Sequence, residues 1–133
     1  VGRDPSQIFV LAYDGRLTLK QLEDSIKQTR FRELGVELLV LSACRTAAGD
    51  DDRAALGLAG LALKAGARSV LATLWFVSDE ASMQLTVEFY RQLQNMTLSK
   101  ARALQAAQLS LMKDPVRSHP AYWAPFLLIG NWL

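Results

Sequence analysis

The sequence predicts an α/β fold in which a mostly parallel sheet is flanked by helices on both faces. Two apolar runs, Leu38–Ala43 and Ser69–Trp75, have the continuous hydrophobic character of strands buried on both faces. Segments with helical periodicity alternate with the predicted strands, which is typical of parallel sheets. Half of the 133 residues are hydrophobic and 21% are charged, a composition sufficient for the core of one domain.

Local signals define the elements of the first half of the chain. Thr18 is a good helix N-cap, and apolar residues follow it at helical spacing. A glycine after an Ala- and Leu-rich segment is suited to ending a helix. The predicted order is a strand at Ile8–Ala12, a turn at Asp14-Gly15, a helix capped by Thr18, the strand Leu38–Ala43, and a helix of about 53–65 that Asp51 or Asp52 could cap and Gly66 ends.

The second half continues the alternation but places two helices in succession. Proline after Asp114 stops the second of them, because proline disfavours helical backbone at the preceding residue. The predicted order is the strand Ser69–Trp75, a helix that Ser78 or Asp79 opens and that runs to about Gln94, a helix capped by Thr97 and stopped at Asp114-Pro115, and the strand Phe126–Ile129.

Charge and composition exclude several classes of function. The net charge is +2 without a dense basic stripe, which gives no case for nucleic acid or an anionic membrane surface. No apolar stretch approaches the roughly 20 residues of a membrane span. One cysteine and one histidine are too few for a zinc cage, and Gly57–Gly60 lies in a helical pattern rather than in a phosphate loop, so no metal and no cofactor are predicted. The single cysteine cannot form an internal disulfide and suggests a reducing, cytoplasmic location.

Cys44 is the strongest candidate for chemistry. It follows the apolar run that ends at Ala43 and precedes a small and acidic segment, Thr46–Asp52, that cannot continue a buried strand. Open α/β sheets bind their ligands at the carboxyl ends of the strands. A lone cysteine at such a position is a candidate nucleophile, and the alternative is a buried, inert thiol that behaves as a small hydrophobe.

Four blocks of sequence occur in the order of a known family. They are Asp14-Gly15-Arg16-Leu17-Thr18, Leu39–Thr46 (LVLSACRT), Gly66–Trp75 (GARSVLATLW) and His119–Gly130 (HPAYWAPFLLIG). This pattern covers nearly the whole chain and resembles the caspase-like cysteine peptidases, most closely the bacterial CHAT domain often found after tetratricopeptide repeats. The resemblance implies a caspase-like fold and a hydrolase that cleaves protein or peptide substrates.

The resemblance implies a Cys–His dyad of which Cys44 is the nucleophile, with its backbone N–H as one oxyanion donor. The family's catalytic histidine and the glycine after it precede the Asp14-Gly15 block and match nothing here, since the sole histidine, His119, matches a different position. We therefore expect residues 1–133 to be the C-terminal part of one CHAT domain that lacks the strands bearing the histidine. Such a fragment is expected to be inactive alone, and its expected partners are the missing part of the domain and tetratricopeptide repeats.

Asp79 is the second candidate site residue. The related separase carries, in a similar Trp-x-Val-x-Asp segment, an acid that binds a basic P1 residue, and Asp79 matches it. The competing interpretation of Asp79 is a helix cap, and one residue could serve both roles. His119 is expected to be a structural loop residue, Asp50–Asp52 a solvated loop or a cleft-edge acidic patch, and the three tryptophans core or pocket-wall residues.

Two rival functions differ in class from a peptidase. One is a catalytically inactive caspase-like scaffold that serves as an interaction module. The other is an unrelated doubly wound domain that binds a small ligand, which lacks support because no glycine-rich phosphate loop is present.

Overall fold

The computed structural model describes residues 9–12, 15–30, 35–41 and 53–133, which form an α/β arrangement. The elements are β1 (Phe9–Ala12), β2 (Gly15–Thr18), α1 (Leu19–Arg30), β3 (Leu38–Leu41), α2 (Arg53–Ala65), β4 (Ser69–Thr73), α3 (Asp79–Leu93), α4 (Lys100–Met112), a short 3-10 helix (Pro120–Tyr122) and β5 (Phe126–Gly130). Each strand and each α-helix predicted from sequence falls within this order. No helix among the described residues is long and apolar enough to cross a membrane.

The described strands form two separate sheets. β1 and β2 make an antiparallel hairpin in which Ala12 pairs with Gly15. The larger sheet has the order β3-β4-β5, with β3 parallel and β5 antiparallel to β4. The expectation of a mostly parallel sheet is therefore wrong for the described residues, in which one of three strand pairs is parallel.

Chain connectivity explains the direction of β5. One helix, α2, returns the chain from the end of β3 to the start of β4, which makes that pair parallel. Two helices, α3 and α4, lie between β4 and β5, so the chain returns to the edge where β4 ended. Phe126, the first residue of β5, accordingly pairs with Thr73, the last residue of β4.

Helices cover both faces of the larger sheet, as predicted. Successive β4 residues point to opposite faces, so Leu71 contacts the α3–α4 side while Val70 and Ala72 contact the α1–α2 side. The α3–α4 side buries Leu71, Val77, Ala81, Leu85, Phe89, Ala103, Leu104, Ala107, Leu111 and Phe126. The α1–α2 side buries Leu22, Ile26, Leu58, Ala59, Ala62, Ala65, Ala67, Val70 and Ala72.

Burial differs between the two apolar strands. All five residues of β4 are buried, because β4 has a neighbour on each side as well as helices on both faces. All four residues of β3 are only half-buried, because β3 lies at the edge of the described sheet. The prediction of a strand buried on both faces is correct for β4 and wrong for β3.

Helix ends follow side-chain capping rules. Thr18 and Gln21 form a reciprocal capping box at α1, in which the Thr18 N–H donates to Gln21 Oε1 at 2.8 Å. Gly66, with φ of 120°, ends α2, and the next N–H returns to the Ala62 carbonyl at 3.0 Å. Thr97 does not cap α4: its hydroxyl donates to Asn95, and Ser99 accepts the Arg102 N–H instead.

A polar cluster lies at the edge of the sheet where β3 and β4 begin. The Lys100 ammonium is nearly buried and lies 2.7 Å both from Glu37 Oε1 and from the Leu133 backbone oxygen. The Lys100 hydrogen bond, with the charges of Lys100 and Arg68, lowers the pKa of Glu37 below its usual 4.5. This pair joins the start of β3 to the start of α4 and to the chain that follows β5.

Candidate functional site

The carboxyl ends of β3 and β4 meet at one edge of the sheet. Leu41, the last residue of β3, pairs with Ala72 in a parallel register, so both strands end there. α3 begins at this edge, and the connection from α4 returns to it before β5 starts. Ligands of open α/β sheets bind in this position, because loops from several strands meet there.

Asp79 is the first helical residue of α3, and its side chain is exposed at this edge. The helix cap is the neighbouring residue: Ser78 has extended backbone, and its hydroxyl accepts the Ala81 N–H at 3.3 Å. The alternative in which Asp79 serves as the cap is therefore wrong. Among the described residues no hydrogen bond or ion pair engages the Asp79 carboxylate, which leaves it available to an external cation.

The five residues between β4 and α3 are fixed at both ends. The Leu74 N–H donates to the Pro125 carbonyl at 3.0 Å, and Val77 is fully buried in the α3–α4 core. Between these anchors Trp75 is 43% exposed and Phe76 is 65% exposed. The Trp75 indole N–H reaches the Ala121 carbonyl at 3.3 Å, which orients the ring.

The connection from α4 to β5 is tied to α3 by a hydrogen bond from Gln84. Asp114 accepts hydrogen bonds from the Val116 backbone at 2.8 Å, from Arg117 at 3.0 Å and from Gln84 at 3.4 Å. These bonds lower the pKa of the Asp114 carboxyl below its usual 3.8, with the Val116 N–H as the largest cause. Asp114, read from sequence only as a helix stop, therefore orders the connection that lies against Trp75.

His119 has a structural role, as predicted. It precedes the 3-10 helix, and its Nδ1 accepts the Ala121 N–H at 3.2 Å. This bond holds the imidazole ring against the 3-10 helix that follows.

Cys44 and Asp50–Asp52 lie outside the described residues, so the geometry of Cys44 and the role of the acidic run stay predictions. The tryptophans do not all follow the expectation of core or pocket-wall packing. Trp123 packs against the α3–α4 core and donates to the Ser118 carbonyl at 3.0 Å, whereas Trp132 is exposed and belongs to neither core nor pocket wall.

Phe76 is the residue of this edge that sequence reasoning missed. The sequence carries no signal for its exposure, because only the fold shows that Val77 turns into the core and leaves Phe76 exposed. The described edge thus combines one free carboxylate with two exposed aromatic rings. Such a surface can bind an extended peptide that carries a cation, through ion pairing and apolar contact.

Comparison with known proteins identifies the family. The CHAT domain family matches residues 3–131, and the chain belongs to that family. The chain is 40% identical to mouse tetratricopeptide repeat protein 28 over 101 residues, 74% of this chain. It is 41% identical to the human protein of the same name over 69 residues, 52% of this chain.

The alignments cover only a small part of these relatives, 4% of the mouse protein and 3% of the human protein. The relatives by name carry tetratricopeptide repeats, in agreement with the predicted association of this domain with such repeats. Both are mammalian, so the comparisons do not support the expected bacterial character. No solved structure matches the chain.

Proposed function

We propose that this chain is the C-terminal part of a caspase-like cysteine endopeptidase domain, with Cys44 as the nucleophile. The observation that carries the proposal is the parallel register of β3 and β4, after which Cys44 and Asp79 follow in sequence. Two neighbouring parallel strands deliver their following residues to one edge. A thiolate from one strand and a specificity acid from the next can therefore act on one substrate.

The proposed reaction is acyl transfer through a thioester. The Cys44 thiolate attacks the peptide carbonyl carbon, the amine leaves with a proton, and water then releases the acid. The Cys44 backbone N–H is one oxyanion donor in this proposal, since the residue at the attacking sulfur lies beside the developing charge. A reducing, cytoplasmic compartment keeps such a thiol in its reactive state.

The general base is proposed to come from another part of the same domain. The only histidine of this sequence is His119, and its Nδ1 holds the Ala121 N–H. General-base assistance contributes about 10²- to 10⁴-fold, and one oxyanion donor about 10²- to 10³-fold. We therefore expect the isolated chain to be essentially inactive until it is joined by the segment bearing the base.

Asp79 is proposed to bind a basic P1 residue. Its carboxylate is exposed at the edge and has no described partner, and Ser78 supplies the helix cap that Asp79 would otherwise supply. A guanidinium can form a bidentate pair with such a carboxylate, which favours arginine over lysine.

The test compares the full-length parent protein with its Cys44→Ala variant, together with any activating partner. Cleavage is measured on peptides that differ only in carrying Arg, Lys, Asp or Leu at P1. We expect turnover by the unsubstituted protein, greatest with Arg, and none by Cys44→Ala. Equal turnover by both proteins would refute the nucleophile assignment, and a preference for Asp or Leu would refute the role of Asp79.

The alternative function is an inactive caspase-like scaffold. In that case the fold would serve as an interaction module, and the bond at His119 does not distinguish the two functions, because neither assigns His119 as the base. The discriminating observation is the sequence of the parent before Val1. A His-Gly after an apolar strand supports the enzyme, and a parent without it supports the scaffold.

A further inference from the structure

Two residues adjacent in sequence, Trp75 and Phe76, have exposed side chains in the segment that leads from the carboxyl end of β4 to Asp79. Exposed large apolar residues beside a polar group are typical of interaction sites, because burying them against a partner removes apolar surface from water. Neither residue belongs to the buried clusters of the two sheet faces, whereas Val77 from the same segment does. The two residues are therefore candidates for contact with a ligand.

The segment that presents the rings is held in place before any ligand binds. The Leu74 backbone is bonded to Pro125, Ser78 is bonded to Ala81, and the Trp75 indole is bonded to Ala121. A surface that is already ordered loses little conformational entropy on binding, so its apolar contacts contribute more fully to affinity.

The charges around the rings select the chemistry of the ligand. Asp79 is exposed in the first turn of α3, three residues after Phe76. Within the described segments 74–80 and 119–125 there is no lysine or arginine. This charge distribution complements a peptide that is basic and apolar at closely spaced positions.

We propose that Trp75 and Phe76 form an apolar subsite that receives an aromatic or branched aliphatic residue of the substrate, two positions away from its basic residue. The inference rests on the proposed peptidase function and on the role of Asp79. In an extended peptide, residues two positions apart point to the same side and lie about 7 Å apart. Phe76 and Asp79 are three residues apart, a chain length that spans at most about 10 Å.

Binding of fluorescent peptides to the full-length Cys44→Ala protein tests the subsite without cleavage. One peptide carries a single Arg among Gly and Ser residues. A second peptide adds a Phe two positions from the Arg and is made in two versions, with the Phe before or after the Arg. A third places the Phe next to the Arg, and a fourth replaces the Arg of the second by Gln. We expect the second peptide to bind about tenfold more tightly than the first and the third peptides, the gain typical of burying one large apolar side chain.

Phe76→Ser should remove this advantage, and Val87→Ser is the matched control. Val87 is 62% exposed, close to the 65% of Phe76, but lies two helical turns beyond the start of α3. The control is expected to keep the full tenfold advantage. The comparison of peptides on the protein without a Phe76 substitution tests the subsite even if Phe76→Ser fails to fold.

The outcomes separate this inference from the proposed function. Equal binding of the Phe-containing and Phe-free peptides, or an advantage that survives Phe76→Ser, would overturn the subsite. An advantage for Phe with no preference for Arg over Gln would support the subsite and refute the role of Asp79. Turnover of peptides by Cys44→Ala would refute the nucleophile, which this binding assay does not use.

Discussion

Replacing Asp79 by Asn isolates the charge of the proposed specificity acid. The substitution preserves the shape of the side chain and removes its negative charge. Ser78, which provides the helix cap through its bond to Ala81, is untouched. The perturbation therefore acts on substrate recognition and leaves the cap of α3 intact.

The size of the effect follows from the loss of one charge-assisted contact. A hydrogen bond to a charged group contributes about 1.5–3 kcal/mol, whereas a neutral one contributes about 0.5–1.5 kcal/mol. Asn keeps an oxygen acceptor, so the difference is about 1–2 kcal/mol, or roughly a 5- to 30-fold loss of kcat/KM for a P1 Arg substrate. Cleavage of a P1 Leu substrate has no such contact to lose and should change little.

The assay measures kcat/KM of the full-length parent on paired peptides with Arg or Leu at P1. Glu80→Gln is the control, because Glu80 is the next residue of the same first helical turn and is also exposed. Both substitutions remove one negative charge from the positive end of the helix, so both should alter the melting temperature similarly. Only Asp79→Asn should reduce the preference for Arg.

Two results would refute this reasoning. An equal loss of Arg preference in Glu80→Gln would show that the preference comes from the total negative charge of the edge rather than from the Asp79 carboxylate. An unchanged Arg preference in Asp79→Asn would remove Asp79 from substrate recognition.

Three predictions concern the stability of the fold. Phe89→Ala, which empties a fully buried ring position, should lower the free energy of unfolding by about 3–5 kcal/mol in urea titration, and a loss below about 1 kcal/mol would contradict the core described for α3. Glu37 has a lowered pKa in the folded state, so its stabilising contribution is present above about pH 4.5 and is lost as the pH falls through the folded value. Glu37→Gln should therefore lower the free energy of unfolding by about 1 kcal/mol near pH 7, a small value because Glu37 is half exposed although Lys100 is nearly buried. The substitution should also make stability fall less steeply as the pH is lowered. An equally steep fall in the substituted and unsubstituted proteins would contradict a stabilising Glu37–Lys100 pair. Gly130→Ala should lower the melting temperature, since φ is +99° and a Cβ would lie 2.4 Å from a backbone oxygen. Gly60→Ala on α2 should raise the melting temperature, because a Cβ there meets nothing within 4 Å. A change of the same sign in both variants would contradict this interpretation.

Local sequence patterns predicted the elements well because periodicity and capping are properties of short segments. The α2 bounds, Arg53–Ala65, follow from an Ala- and Leu-rich segment that ends before a glycine. The Thr18 cap was equally visible, since Gln21 completes a capping box three residues later. The cap of α4 was misassigned to Thr97 because two suitable hydroxyl residues lie close together, and only the backbone path selects Ser99.

Some of the site residues were likewise predictable from the sequence, and others were not. The position of Asp79 at the start of a helix after an apolar strand was predictable from sequence, as was the structural role of His119. The exposure of Phe76 was not, because a pattern of apolar residues does not state which of two neighbours, Phe76 or Val77, turns toward the core.

The sequence by itself determined the α-helices, every described strand except β2, their order and the family pattern, because each depends on residues close together in the chain. Only the tertiary structure decided that β5 runs antiparallel to β4, that β3 lies at a half-buried edge, and that Lys100 pairs with Glu37. These features join segments distant in sequence, and their geometry depends on how many helices return the chain and where those helices pack. The apolar run that leads to Cys44 was recognisable in the sequence. Its parallel pairing with the strand that leads to Asp79 is known only from the fold.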